Sequence, residues 1–204
     1  MKTKKMAIFI LAALMLFSLA ACSENTKDPA KETDTKHATE PKIVEVTPSE
    51  VEAAVAKALG DEYLCTVDIP EEEMMMSMMA DIDMSKVSSY VGKQALVTAL
   101  NMDTVIVLNC KDGYAEEAVK ILNENYSRTV DYIRQYPFGV AKVEGARLYR
   151  TGETVMFILA GASYDGDDAE KAAELAAAEY RKIDGAIKAL IGTLPENLAS
   201  VSKS

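Results

Sequence analysis

Few side chains in this sequence are equipped for chemistry, and they fall into three groups. The first is Leu19-Ala20-Ala21-Cys22, a run of small residues closing on a cysteine. The second is the pair of remaining cysteines, Cys65 and Cys110. The third is a methionine run, Met74, Met75, Met76, Met78 and Met79. A thiol can accept a lipid or close a disulfide. Thioethers are soft ligands suited to Cu(I), and equally adaptable packing groups for a core or a peptide groove. The chain's one histidine, His37, sits in a polar stretch and reads as a solvated residue. A Ser-His or Cys-His nucleophile pair is therefore excluded from everything after it. No H-E-x-x-H zinc motif is present, and Gly113, Gly139 and Gly145 lack the spacing of a phosphate-binding loop. Carboxylate-only hydrolysis, as in glycosidases, stays open because the chain is rich in Asp and Glu.

The first group has a clear setting. Lys2, Lys4 and Lys5 form a positive start, and Met6 to Leu19 is an almost unbroken apolar run. The run is shorter than the roughly 20 residues a membrane-spanning helix needs. With small residues at its end it reads as a cleavable signal, 1–21. Leu19, Ala20, Ala21 and Cys22 resemble the lipobox of bacterial lipoproteins, in which the cysteine takes a diacylglycerol and signal peptidase II cuts before it. Two acyl chains, each contributing about 0.8 kcal/mol per buried CH₂, hold a protein stably where one does not. The partner implied is the lipid bilayer, reached through Cys22, and the location is the outer face of the cytoplasmic membrane.

Charge narrows the partners further. The chain carries a formal −10, and removal of the signal takes three lysines away. That balance excludes a generic nucleic-acid binder, which needs a basic footprint. It also keeps the body of the protein from lying on anionic headgroups. Residues 22–46 are polar, free of aromatics and low in complexity, so they read as a disordered tether. A flexible coil of that length averages about 25–30 Å end to end.

The elements that must position any site lie in a globular domain over 47–195. Thr47-Pro48-Ser49-Glu50 starts a helix over 48–59, with Thr47 and Glu50 as a capping box and Gly60 as the stop. The methionine run suggests a short helix at 71–79, with Met75 and Met78, and Met76 and Met79, on shared faces. Asp83 to Val87 reads as a helical turn capped by Asp83 or Ser85. Residues 95–100 and 104–109 read as a hairpin turning at 101–103. A helix follows over 114–136, on which Tyr126, Tyr132 and Tyr136 with Arg128 and Arg134 could form a binding face. A second hairpin pairs 146–150 with 154–160 across Thr151-Gly152-Glu153. Met156, Ile158 and Ala160 face one side and Val155, Phe157 and Leu159 the other, so this strand should be central and covered. The last helix spans 168–191, with Asp167 and Glu170 as its capping box and Gly192 and Pro195 as its stop. Within Asp165-Gly166-Asp167-Asp168 the carboxylates fit helix capping better than a calcium loop. Residues 196–204 read as a frayed tail. The fold class is α+β: an antiparallel sheet of about four strands, in two hairpins, packed against helices in the order α-ββα-ββα.

Three stretches also carry a family likeness. They are 83–90 (DMSKVSSY), 104–113 (TVIVLNCKDG) and Gln135-Tyr136-Pro137 leading to 146–152 (ARLYRTG). Together they resemble domain-of-unknown-function family 4358, found in lipoproteins of Gram-positive anaerobes, over roughly residues 48–192. The resemblance implies an extracytoplasmic lipoprotein domain of unassigned activity and brings no catalytic residues. The methionine run is not part of that family's pattern.

The expectation is a non-catalytic binding or interaction module for an envelope protein or peptide, needing no cofactor. The alternatives are a soft-metal or small-molecule carrier using Met75, Met76, Met78 and Met79, and a carboxylate-dependent hydrolase. Cys65 and Cys110, in an oxidising location, can pair or stay as separate buried thiols.

Overall fold

The first helix, α1 (Pro48–Leu59), forms where the capping signals place it. Thr47 Oγ1 accepts from the Glu50 N–H, the Glu50 carboxylate accepts from the Thr47 N–H, and Pro48 opens the first turn. Gly60, at φ +59°, ends it and leads into a single 3₁₀ turn, Gly60–Glu62. In this computed structural model the described residues are 45–70, 73, 77–96, 101–136 and 138–201. The signal segment, Leu19, Ala20, Ala21, Cys22, the tether as far as residue 44, Met74, Met75, Met76 and residues 97–100 lie outside them.

The order after α1 is β1 (Val67–Asp68), a 3₁₀ turn at Met84–Lys86, β2 (Val87–Gln94), β3 (Thr104–Cys110), α2 (Ala115–Ile133), α3 (Val140–Glu144), β4 (Arg147–Thr151), β5 (Thr154–Leu159) and α4 (Ala169–Ile191). The five strands form one antiparallel sheet in the order β1-β2-β3-β5-β4. The expected class holds, and short β1 adds a fifth strand at one edge.

The strand partnering β3 differs from the expected one. It is Val87–Gln94, not 95–100; Ala95 and Leu96 lie past its end. The apolar, β-branched run after residue 94 is the stronger strand signal, whereas Val87–Gln94 is largely polar and carries Gly92. Tertiary packing explains that glycine: a Cβ there would sit 3.3 Å from Met79 Sδ. Among the described residues, 77–81 form a bend and turn rather than the end of a helix. Asp83 does cap the turn at Met84–Lys86, accepting from the Ser85 N–H. The cap of α4 moves by one residue, from Asp167 to Asp168, which accepts from the N–H groups of Glu170 and Lys171.

Alternation along β5 sorts the core. Val155, Phe157 and Leu159 join a cluster with α2, α3, Ile106 and Leu108 on one face of the sheet. Met156, Ile158 and Ala160 join a cluster with α1, α4, Val105 and Val107 on the other. All six residues of β5 are buried, as an interior strand covered on both faces requires. The architecture is therefore three layers, with the sheet in the middle.

The C-terminal segment is tied down where fraying is the expectation. Leu198 N–H donates to Leu148 C=O at 2.7 Å, and Asn197 Oδ1 accepts from Leu148 N–H at 2.9 Å. Asn123 of α2 bonds both Leu198 C=O and Ser200 N–H. Polar groups on the outer edge of β4 would otherwise be unpaired, and the tail covers them.

Candidate functional site

Three connections meet at one end of the sheet: 101–103 before β3, α3 before β4, and 160–163 after β5. Each is held locally. Asn101 Oδ1 accepts from Asp103 N–H at 2.9 Å, fixing the approach to β3. Helix α3 is gripped from both neighbours: Tyr180 OH of α4 donates to Lys142 C=O, and Tyr126 OH of α2 donates to Val143 C=O, both at 2.8 Å. Gly161, at φ +114°, packs against Glu179, where an added Cβ would come within 2.9 Å of the Glu179 Cβ.

Their meeting point is a buried ion pair. Lys142 Nζ lies 2.5 Å from Asp103 Oδ1, with side-chain exposures of only 7% and 0%. Lys142 Nζ also donates to Gly161 C=O at 3.1 Å. Asn101's side chain and the Gly161 N–H face the Asp103 carboxyl, yet neither carboxyl oxygen has a hydrogen bond of good geometry. Burial pushes the Asp103 carboxyl up from its usual range, and the attraction of Lys142 only partly offsets this.

Clefts open on either side of the pair. One, about 560 Å³, is lined by Met78, Asp81, Asn101, Asp103, Arg128 and Tyr132 among others. A second, about 580 Å³, includes Leu64, Leu96, Asn101, Lys142, Gly161 and Asp165. A third, about 320 Å³, lies between α3 and the start of α4 and again includes Lys142. Exposed apolar side chains rim this end: Leu64, Leu96 and Tyr132 in the clefts, Tyr136 with its ring 5.1 Å from that of Tyr132, and Phe138 beside Gly139.

The sequence-derived candidates are distributed unevenly around this site. Met78 lines the first cleft, and its Sδ accepts from Thr129 Oγ1 at 3.3 Å. Met79 is fully buried in the core. The turn carrying both is held by buried Asn125, whose Nδ2 donates to Met78 C=O and Ala80 C=O. Arg128 bonds Asn125 Oδ1 and pairs with Asp81, a non-glycine residue at φ +70°. The expected tyrosine face divides: Tyr126 is buried in α2, Tyr132 faces outward near its end, Tyr136 is exposed past that end, and Arg134, just beyond α2, pairs with Glu144.

Cys65 and Cys110 are buried free thiols in separate core clusters on opposite faces of the sheet. Burial raises both; Cys110 is pushed up to about 11, and Cys65, near Asp103, goes higher. Burial thus favours the protonated thiol at both positions. Among the described residues, no three His, Cys, Asp or Glu side chains come together as a metal cluster.

No family model matches this chain, and neither a curated protein nor a solved structure matches it. The likeness to family 4358 rests on its three sequence stretches alone.

Sequence reasoning missed Asp103 and Lys142 as a pair. It placed Asp103 in a turn and assigned no element between 136 and 146, where α3 forms. The available signal was weak: a lone lysine among apolar neighbours, Val140-Ala141-Lys142-Val143, which is buried only where a partner charge meets it.

Proposed function

We propose that the chain is a lipid-anchored extracytoplasmic module that binds an envelope protein or peptide through the cleft-bearing end of its sheet. Leu19-Ala20-Ala21-Cys22 supports the anchor, and the likeness to family 4358 supports the same placement. The observation that carries the binding reading is the polarity of the domain. The chain enters at Val46, whose carbonyl accepts from Asn109 Nδ2 near the far end of β3. The clefts and their apolar rim lie at the other end of that strand, about 20 Å away for seven residues at ~3.3 Å each. Exposed aromatic side chains beside a concave surface suit recognition of a peptide or protein. No helix among the described residues is long and apolar enough to cross a membrane.

Two measurements test the two halves. Cys22→Ser should abolish lipid labelling and move the protein from the membrane to the soluble fraction; unchanged fractionation would refute the anchor. A photo-crosslinking residue at Phe138 should capture a reproducible partner in intact cells, while the same residue at Asp112, at the opposite end, should not. Equal capture at both positions, or none at either, would remove the binding face.

A further inference from the structure

We infer that Lys142 and Asp103 condense within the folded protein to an amide, joining the two side chains covalently across the end of the sheet. This does not depend on the binding reading.

The geometry supplies what such a reaction needs. Nζ is 2.5 Å from one carboxyl oxygen, in direct contact with the group it would attack. Both groups are fixed: Lys142 by α3, whose carbonyls are held by Tyr126 and Tyr180, and Asp103 by Asn101 and the start of β3. Holding two reactants in contact removes most of the entropic barrier to joining them. Both side chains are out of water, so the water released is not returned by solvent and the product is shielded from hydrolysis. The ionised pair is costly in that setting, because both charged groups are shut off from water. A neutral amide removes both charges.

The step balances without any co-reactant. The ammonium of Lys142 passes a proton to the Asp103 carboxylate, giving an amine and a carboxylic acid. Raised proton affinity of buried Asp103 favours that transfer. The amine lone pair adds to Cγ, forming the C–N bond. Negative charge gathers on a carboxyl oxygen, and the Gly161 N–H and the Asn101 side chain face that carboxyl group. The C–OH bond then breaks, and the hydroxyl leaves as water with a proton from the former amine. Gly161 C=O, which accepts from Nζ, keeps the nitrogen aimed during the addition.

The test is the intact mass of the purified full chain, denatured and reduced, followed by peptide mapping. The expected result is a mass one water below that calculated for the same processed chain. Digestion should yield a branched peptide joining the segments around Asp103 and Lys142, with no tryptic cleavage at Lys142. The branched peptide separates this product from dehydration of Asp103 alone. Lys142→Arg should restore the full mass. Asp103→Asn should close to the identical product by losing ammonia. A folded native chain of full mass with cleavage at Lys142 overturns the inference, as does a one-water deficit that persists in Lys142→Arg.

Discussion

Two of the ionic networks among the described residues are built to opposite standards. Around Asp184, Arg147 Nε and Nη2 reach the two carboxylate oxygens at 2.9 and 3.0 Å, and Tyr149 OH donates to Oδ1 at 2.5 Å. Arg147 Nη1 donates to Gly145 C=O, and the guanidinium lies 4.6 Å from the centre of the Tyr180 ring. The Arg147 and Asp184 side chains remain about one-fifth exposed. The Asp103–Lys142 pair is almost fully enclosed, yet no well-formed hydrogen bond reaches its carboxyl oxygens. The network with access to water is the completed one. Such completion lets a charge stay charged, whereas a sealed, half-satisfied charge is driven to neutralise.

The largest expected effect breaks the sealed pair on one side. Lys142→Ala strands the Asp103 carboxylate, at a cost of about 3–5 kcal/mol. A closed amide adds the loop-closure contribution of a covalent bridge spanning about 40 residues, about 4 kcal/mol on the scale used for disulfides. Urea unfolding of the variant beside the native chain measures the sum. A loss under about 2 kcal/mol would show the site to be neither sealed nor bridged.

Next comes the replacement that separates bridge from ion pair. Exchanging a buried ion pair for apolar residues of similar size is usually neutral or stabilising. Asp103→Leu with Lys142→Met should instead lose about 4 kcal/mol, because it deletes a covalent closure. A double variant as stable as the native chain would mark the contact as purely ionic.

At the completed network the expected loss is smaller. Asp184→Ala leaves Arg147 and Tyr149 without their acceptor, but partial access to water softens the cost to about 2 kcal/mol. Thermal unfolding checks this; a loss matching that of Lys142→Ala would erase the distinction between the two networks.

What the sequence reveals follows the range of the forces involved. Local signals read correctly: the Thr47–Glu50 box, the Asp83 cap, and the alternation of β5 that assigns Phe157 and Ile158 to opposite cores. Each depends on neighbours a few residues apart. Strand β2 was hidden because its partners, not its composition, make it a strand, and Gly92 is required by Met79 from another segment. The Asp103–Lys142 contact was hidden for the same reason. It exists only after β3, α2 and α3 have closed a long loop, and neither residue carries a motif. The tail is similar: Asn197 looks like any polar terminus until the edge of β4 is there to receive it.

The smallest effect concerns the hydroxyl that holds α3 in place. Tyr126 OH donates to Val143 C=O next to Lys142, so Tyr126→Phe should cost about 1 kcal/mol at neutral pH. Burial pushes the Tyr126 hydroxyl up to about 12 from its ordinary 10. The sign then follows from proton counting. Below pH 10 both folded and unfolded chains keep the proton, and the contribution is complete. Between 10 and 12 the unfolded chain releases it while the folded chain retains it, so the native protein loses stability there on the order of 1–2 kcal/mol that the phenylalanine variant does not lose. Buried Tyr149 and Tyr180 shift in the same direction in both proteins and cancel in the difference. The gap between native and variant melting temperatures should therefore close as pH climbs through this window. A gap that stayed constant would mean that the hydroxyl reaches water and that α3 is not clamped from the α2 side. Lys142 would then keep its position through Tyr180 alone.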